Sequence, residues 1–254
     1  MSALRTIVER VIPGGDPALD KDADAFFHAL SVFRRRFVIR EAAAKQTVTL
    51  SALANDLAVE ESPAASTAAD ITERERKRCY VSLYQTHLPR LDETGLIDYD
   101  GDENEVRATR ETATAADILD EMETAMAERP LPKPHDPEAE VEAVGMDDVF
   151  TLLKNERRRH VISLLADVEA GRRVTLDWLA TNVAEIETGH PEGGVTSKER
   201  KRPYTALYQS HLPRFTAKGF VHWVGRGPIT VTDRIAWLHH VMLVGEARLN
   251  GGAA

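Results

Sequence analysis

The segment Arg76-Lys-Arg-Cys-Tyr-Val-Ser-Leu-Tyr-Gln-Thr-His-Leu-Pro-Arg90 occurs twice in this chain. It returns as Arg200-Lys-Arg-Pro-Tyr-Thr-Ala-Leu-Tyr-Gln-Ser-His-Leu-Pro-Arg214, with 11 of 15 positions identical at an offset of 124. Upstream, Phe33–Ile39 matches Glu156–Ile162 at offset 123, and Val48-Thr-Leu50 matches Val174-Thr-Leu176 at offset 126. Such nearly constant offsets mean a tandem duplication with short loop insertions. The period is too long for a solenoid repeat and suits a whole domain of about 100 residues, for which a 254-residue chain has room twice. Arg129-Pro-Leu-Pro-Lys-Pro-His-Asp-Pro137 holds four prolines in nine residues, the composition of an extended linker. The sequence therefore divides into an arm (1–23), a first domain (24–128), a linker (129–145), a second domain (146–249) and a frayed tail (250–254).

Within each repeat, hydrophobic spacing orders the elements. A first helix is expected over about Ala25–Lys45 and Asp148–Glu169, then a short strand, then a second helix over Ser51–Val59 and Asp177–Ala184, with Ser51 and Asp177 as N-caps. A loop without packing pattern follows. A third helix then opens on a capping box in both copies, Thr72-Glu-Arg-Glu75 and Thr196-Ser-Lys-Glu199. Its apolar stripe is Tyr80, Leu83, Tyr84, His87, Leu88 and Leu91; Gly95 and Gly219 end it, and Pro89 and Pro213 should kink it. Two strands around a tight turn (Gly101–Asn104; Gly225–Pro228) and a terminal helix complete the unit. The fold class is mainly α with small β wings, as two tandem winged helix-turn-helix domains.

Composition narrows the function classes. A single cysteine, Cys79, excludes a disulfide framework and a multi-cysteine zinc site. No apolar run reaches the roughly 20 residues of a membrane span, and Met1–Arg10 lacks the apolar core of a secretory signal, so a cytoplasmic protein is expected. His239 and His240 point to different faces of one helix and make a poor metal pair. No glycine-rich phosphate loop, paired carboxylates or nucleophile elbow is present, so the sequence implies neither an enzyme nor a cofactor. The formal charge of -9 disfavours a polyanion partner on a whole-chain count. But excess acid, 24 arginines against 8 lysines and abundant alanine are together the composition of a salt-accumulating organism, where acidity is adaptation to solvent.

Asn155-Glu-Arg-Arg-Arg-His-Val-Ile-Ser-Leu-Leu165, the Val-Thr-Leu before the second helix and His-Leu-Pro-Arg-x4-Gly-Phe/Leu-Val/Ile before the wing resemble a haloarchaeal winged-helix domain family of unknown function. The His-Leu-x2-Leu-x3-Gly-Leu-Ile pattern at Thr86–Ile97 is similar to ArsR-type repressors. The resemblance covers both repeats and implies DNA binding in transcriptional control. The chain departs from a standard helix-turn-helix in the dozen or so residues between its second and third helices, where three or four are usual.

If the third helix reads double-stranded DNA, its reading side lies opposite the apolar stripe. That places Arg78, Ser82, Gln85, Thr86 and Pro89 outward in the first copy, and Arg202, Ala206, Gln209, Ser210 and Pro213 in the second. Arginine pairs with guanine and glutamine with adenine in the major groove, while serine, threonine, Arg90 and Arg214 suit phosphates. Thr72–Arg90 carries five bases and two acids, and Thr196–Arg214 five bases and one acid. The first wing, Asp98–Glu105, has five acids and no base; the second, Val221–Thr232, has Arg226 and no acid. The second domain should accordingly touch DNA more strongly. Arg34-Arg-Arg36 and Arg157-Arg-Arg159 read as bases paired with acids inside the domain rather than as phosphate clamps. Tyr84 and Tyr208 are expected in the core, His87 and His211 as packed, hydrogen-bonded side chains, and Cys79 as a small packing residue. The terminal helices carry stripes (Ile118, Leu119, Met122, Met126; Ile235, Leu238, Val241, Met242) that suit closure of each core, packing of repeat on repeat, or a homodimer or other protein partner. The rival to a DNA-binding regulator is a protein-interaction adaptor built from winged helices that do not bind DNA.

Overall fold

A computed structural model describes residues 17–63, 67–133, 143–190 and 194–251. It is mainly α with two small antiparallel sheets, one per repeat. The first repeat runs α1 (Pro17–Ala29), α2 (Phe33–Lys45), β1 (Thr47–Thr49), α3 (Leu50–Glu60), α4 (Glu73–Ser82), a five-residue π turn (Leu83–His87), α5 (Leu88–Asp92), β2 (Ile97–Asp100), β3 (Glu105–Ala108) and α6 (Arg110–Glu128). The second runs α7 (Met146–Leu153), α8 (Glu156–Ala166), β4 (Arg173–Val174), α9 (Leu176–Thr188), α10 (Ser197–Ala206), a π turn (Leu207–His211), α11 (Leu212–Ala217), β5 (Val221–His222), β6 (Ile229–Val231) and α12 (Asp233–Gly251). Each wing hairpin takes the short strand ahead of the second helix as its third member, giving orders β1-β3-β2 and β4-β6-β5, with Val48 opposite Val106.

Several local expectations are corrected. The first helix of each repeat is two helices, because arginines that follow the break cap the helix before it. Arg35 donates to the carbonyl of His28 at 2.7 Å and Arg36 to that of Leu30 at 2.9 Å; Arg158 and Arg159 donate to Leu152 and Leu153 at 2.8 and 2.7 Å. These are carbonyls that a helix end leaves without partners. The break leaves Phe33, the first residue of α2, exposed to solvent. The second helices are capped by Thr49 and Thr175, not by Ser51 and Asp177. Thr49 ends β1 and Thr175 follows β4, both in extended geometry, and they accept from Ala52 and Trp178. Helix α1 begins at Pro17, inside the segment expected as a loose arm, and α12 reaches Gly251, past the start of the expected tail. Of the linker, 134–142 lie outside the described residues; the Arg129 and Pro132 carbonyls before them accept from Trp237 and Arg234 of α12.

The apolar stripes of α6 and α12 close their own cores and also pack on each other, joining the repeats. Ile118, Leu119, Met122, Ile235, Leu238, Val241 and Met242 are all buried, so the surface expected to recruit a homodimer partner is consumed within the chain. The junction obeys an approximate two-fold. Arg36 of repeat one reaches Asp147 at 2.6 Å and lies 5.6 Å over the Phe150 ring; Arg159 of repeat two reaches Asp24 and lies 5.8 Å over the Phe27 ring. Phe27 and Phe150 meet at the centre, 5.8 Å apart. The symmetry fails where Met122 faces Gly245. A Cβ at Gly245 would sit 3.0 Å from the Met122 sulfur, so a large residue in one repeat is matched by none in the other.

Candidate nucleic-acid interface

Both third helices begin where the capping boxes put them. Thr72 and Thr196 accept from the Glu75 and Glu199 backbone amides, while the two carboxylates bond back to the threonines at 2.6–2.9 Å. Those bonds hold both glutamates below the usual carboxylate range. The helices end on Gly95 and Gly219 at φ +70° and +67°, and Leu96 and Phe220 close the last turn by donating to Leu91 and Phe215. Only glycine adopts this backbone cheaply.

Pro89 and Pro213 sit just past a π turn, in the first turn of α5 and α11. Leu88 and Leu212 donate to Leu83 and Leu207, five residues back. An α turn would press each proline ring against the carbonyl four residues earlier, and one extra residue in the turn relieves this. The buried positions, Cys79, Leu83, His87–Leu88 and Leu91, therefore recur at nearly four residues rather than 3.6. That slip corrects the placing of Tyr84 and Tyr208: they are 47% and 37% exposed, not core. Tyr84 stacks at 6.5 Å on Tyr80, and Tyr208 meets Trp223 of the wing edge-on at 5.5 Å. His87 and His211 are buried, but the Nδ1 atom of each lacks a protein hydrogen-bond partner, which corrects the expected fully bonded histidines. Burial first and neighbouring arginines second push both imidazoles down to about 4. Cys79 is a buried packing residue.

The outward face assembles as its spacing requires. Arg78, Gln85 and Thr86 are exposed in the first copy, with Ser82 half-buried; Arg202, Gln209 and Ser210 are exposed in the second. Arg202, Gln209 and Ser210 line a shallow depression of about 560 Å³ together with Arg157, Lys198, Lys201, Thr205 and Ala206. Four of these eight side chains are cationic and none is acidic. The equivalent positions in the first copy are Arg34, Arg74, Lys77, Arg78, Val81, Ser82, Gln85 and Thr86. Lys198, Lys201 and Thr205 share a face with Arg202 and Gln209 at three- and four-residue spacing, a signal that the sequence itself carries.

The copies differ in how far these charges are already neutralised. Glu61 holds Arg34 at 2.6 Å and also approaches Arg78 at 3.4 Å. Its counterpart Glu187 holds Arg157, but Arg202 has no ion pair among the described residues. In wing one, Arg107 draws together Glu103 and Glu105 at 2.6 and 2.7 Å, with Asp98 and Asp100 at 3.9 Å. In wing two, Arg226 is exposed beside Val224, itself 71% exposed. Arg90 and Arg214 lie beyond the π turns: Arg90 bonds Glu93 and the His28 ring, both at 3.0 Å, while Arg214 is exposed.

The arginine triplets are internal, but the expected pairing with acids of the same domain holds in full only for Arg34 and Arg157, which hold Glu61 and Glu187. Arg35 and Arg158 bond backbone carbonyls, and Arg36 and Arg159 reach acids of the other repeat. Among the described residues no three His, Cys, Asp or Glu side chains form a cluster able to hold a metal ion, and no helix is long and apolar enough to cross a membrane.

The model of a family described as a domain of unknown function (DUF7344) matches residues 27–107 and 150–227, more than half of the chain. Neither match includes the terminal helices that join the repeats. No curated protein and no solved structure matches.

Proposed function

This chain belongs to the DUF7344 family, whose domain it matches in two segments, and from that premise we propose that it is a DNA-binding transcriptional regulator. In this reading two winged-helix domains, related to those of haloarchaeal and ArsR-type proteins, present two third helices to one duplex in the cytoplasm. The observation that carries it is the depression along α10, where Lys198, Lys201 and Arg202, beside an Arg157 already held by Glu187, surround the donors and acceptors of Thr205, Gln209 and Ser210. In a chain of net charge -9, a local surface of that sign is selected for an anionic partner. Arg202 and Arg78 suit guanine and Gln209 and Gln85 adenine; Ser210, Thr86, Ser82, Arg90, Arg214 and the wing residue Arg226 suit phosphates. At an ionic strength near 1 M the Debye length is about 3 Å, so contact within the groove, not long-range attraction, sets the affinity.

The adaptor reading draws on a different observation. Tyr84, Tyr204, Tyr208 and Val224 leave large apolar side chains in solvent between third helix and wing, and wing one repels a phosphate backbone. A pull-down with fragmented genomic DNA at high salt separates the two. Enrichment of particular fragments supports the regulator; recovery of proteins without DNA overturns it in favour of the adaptor.

A further inference from the structure

At the junction of the repeats, cations of both copies crowd together. Arg35 is 7% exposed, its Nη2 bonding the His28 carbonyl at 2.7 Å and the Ser31 hydroxyl at 3.3 Å, yet its Nε is buried with no partner. Arg90, at the far end of the first third helix, places Nη2 3.0 Å from the His28 ring, and its Nε is likewise buried and unpartnered. The second repeat supplies Arg158, 6% exposed and capping α7, with the exposed Arg214 nearby. Lys154, in the break between α7 and α8, is within electrostatic reach of Arg35 of the first repeat and of Arg158 and Arg214 of the second. It has no ion pair among the described residues, and its ammonium is pushed down by burial and by Arg158, Arg35 and Arg214. His28 and Arg158 are pushed down in the same way, by burial first and neighbouring cations second. The nearest carboxylates offset this charge only in part: Asp24 pairs with Arg159 and Asp147 with Arg36, while Glu93 takes one Nη of Arg90 and leaves its Nε free.

Like charges drawn from two domains and only partly offset by these acids are costly to keep together, and an anion that bonds both sets lowers the cost. A tetrahedral anion suits this arrangement best, because donors arrive from both repeats and the free guanidinium N–H groups favour phosphate oxygens. We propose that the junction around Lys154, Arg35, Arg90 and Arg214 binds a phosphate group contacting both repeats at once. Its source is either a backbone phosphate midway between the two third helices, which rests on the DNA reading above, or a free phosphorylated solute.

The test compares the full chain with Lys154→Gln and Lys154→Gln/Arg214→Gln. Both positions are partly or fully exposed, and circular-dichroism melting checks that the fold is kept. Pyrophosphate titrated calorimetrically without DNA should bind the wild-type chain and bind the double variant at least about tenfold more weakly, since two charge-assisted bonds are removed. For the backbone source, the slope of log affinity for duplex DNA against log salt should also fall by about 2 in the double variant. Pyrophosphate loss without a slope change assigns the site to a free solute. Failure of the wild-type chain to bind DNA sinks the regulator reading alone and leaves pyrophosphate to decide. Unchanged pyrophosphate binding and an unchanged slope together overturn the proposal.

Discussion

The two repeats are nearly the same molecule inside and different molecules outside. Inside, each arginine triplet divides its labour identically: one guanidinium to the end of the second helix, one to the helix before it, one across the junction to the other repeat. Outside, the acidic first wing surrounds Arg107 and Glu61 approaches Arg78, whereas Arg202 and Arg226 of the second repeat carry no such acids. Packing constraints held the interior after duplication, because a buried guanidinium that loses its partner is expensive. Nothing comparable restrains a solvated wing, so the outer surfaces were free to specialise.

The interior half of that comparison predicts the largest effects. Arg36→Ala and Arg159→Ala each remove a buried guanidinium that bonds a helix-end carbonyl and lies over a phenylalanine ring of the other repeat, so each should lower unfolding free energy by about 2–4 kcal/mol. Arg159→Ala should cost more, since Arg159 also holds Glu246 at 3.1 Å. Denaturant titration that left either variant as stable as wild type would break the claim of a shared interior.

The paired histidines come next. His87 and His211 are held neutral in the fold, at about 4 against 6.5 when unfolded. A lowered folded value means that the unfolded chain takes up protons first, so this stability is complete above about pH 6.5 and drains as pH falls toward 4. Between pH 7 and 5 the loss should be about 2 kcal/mol for each histidine, and His87→Gln and His211→Gln should each flatten the profile equally. A profile unmoved by either substitution would contradict the buried, uncharged placement.

The exterior half predicts smaller, unequal effects. Lys201→Gln/Arg202→Gln should weaken duplex binding about tenfold, and Lys77→Gln/Arg78→Gln about threefold, in anisotropy titrations at one fixed salt concentration. Equal losses would remove the asymmetry. Smallest of all, Arg226→Ala should cost about threefold, and Asp102→Asn/Glu103→Gln in the opposite wing should improve affinity about twofold.

Much of this was legible in the residues. The repeat is read directly from identity at a fixed offset; capping boxes, terminal glycines and the polar face of the third helix each have a local cause within four residues, and all stand where their spacing puts them. What spacing concealed depends on partners far along the chain. The break in the first helix is invisible until Arg35 and Arg36 are seen returning to His28 and Leu30. Exposure of Tyr84 follows from a π turn that a proline five residues later forces, and a 3.6-residue count passes over it. The lining lysines of the groove were legible and needed only the same face count applied to charges. Phe27 against Phe150, 123 residues apart, has no local signature; the repeat itself was the only hint that one half would be the other's partner.

Protection of a single thiol probes the groove directly. Cys79 is buried, so a Cys79→Ala chain carrying Ser210→Cys or Thr86→Cys reports maleimide alkylation at one third helix at a time. Saturating duplex DNA should slow alkylation at position 210 about tenfold and at position 86 distinctly less. An unchanged rate at 210 while DNA is bound would show that the duplex lies elsewhere, and would contradict the assignment of that helix as the reading element.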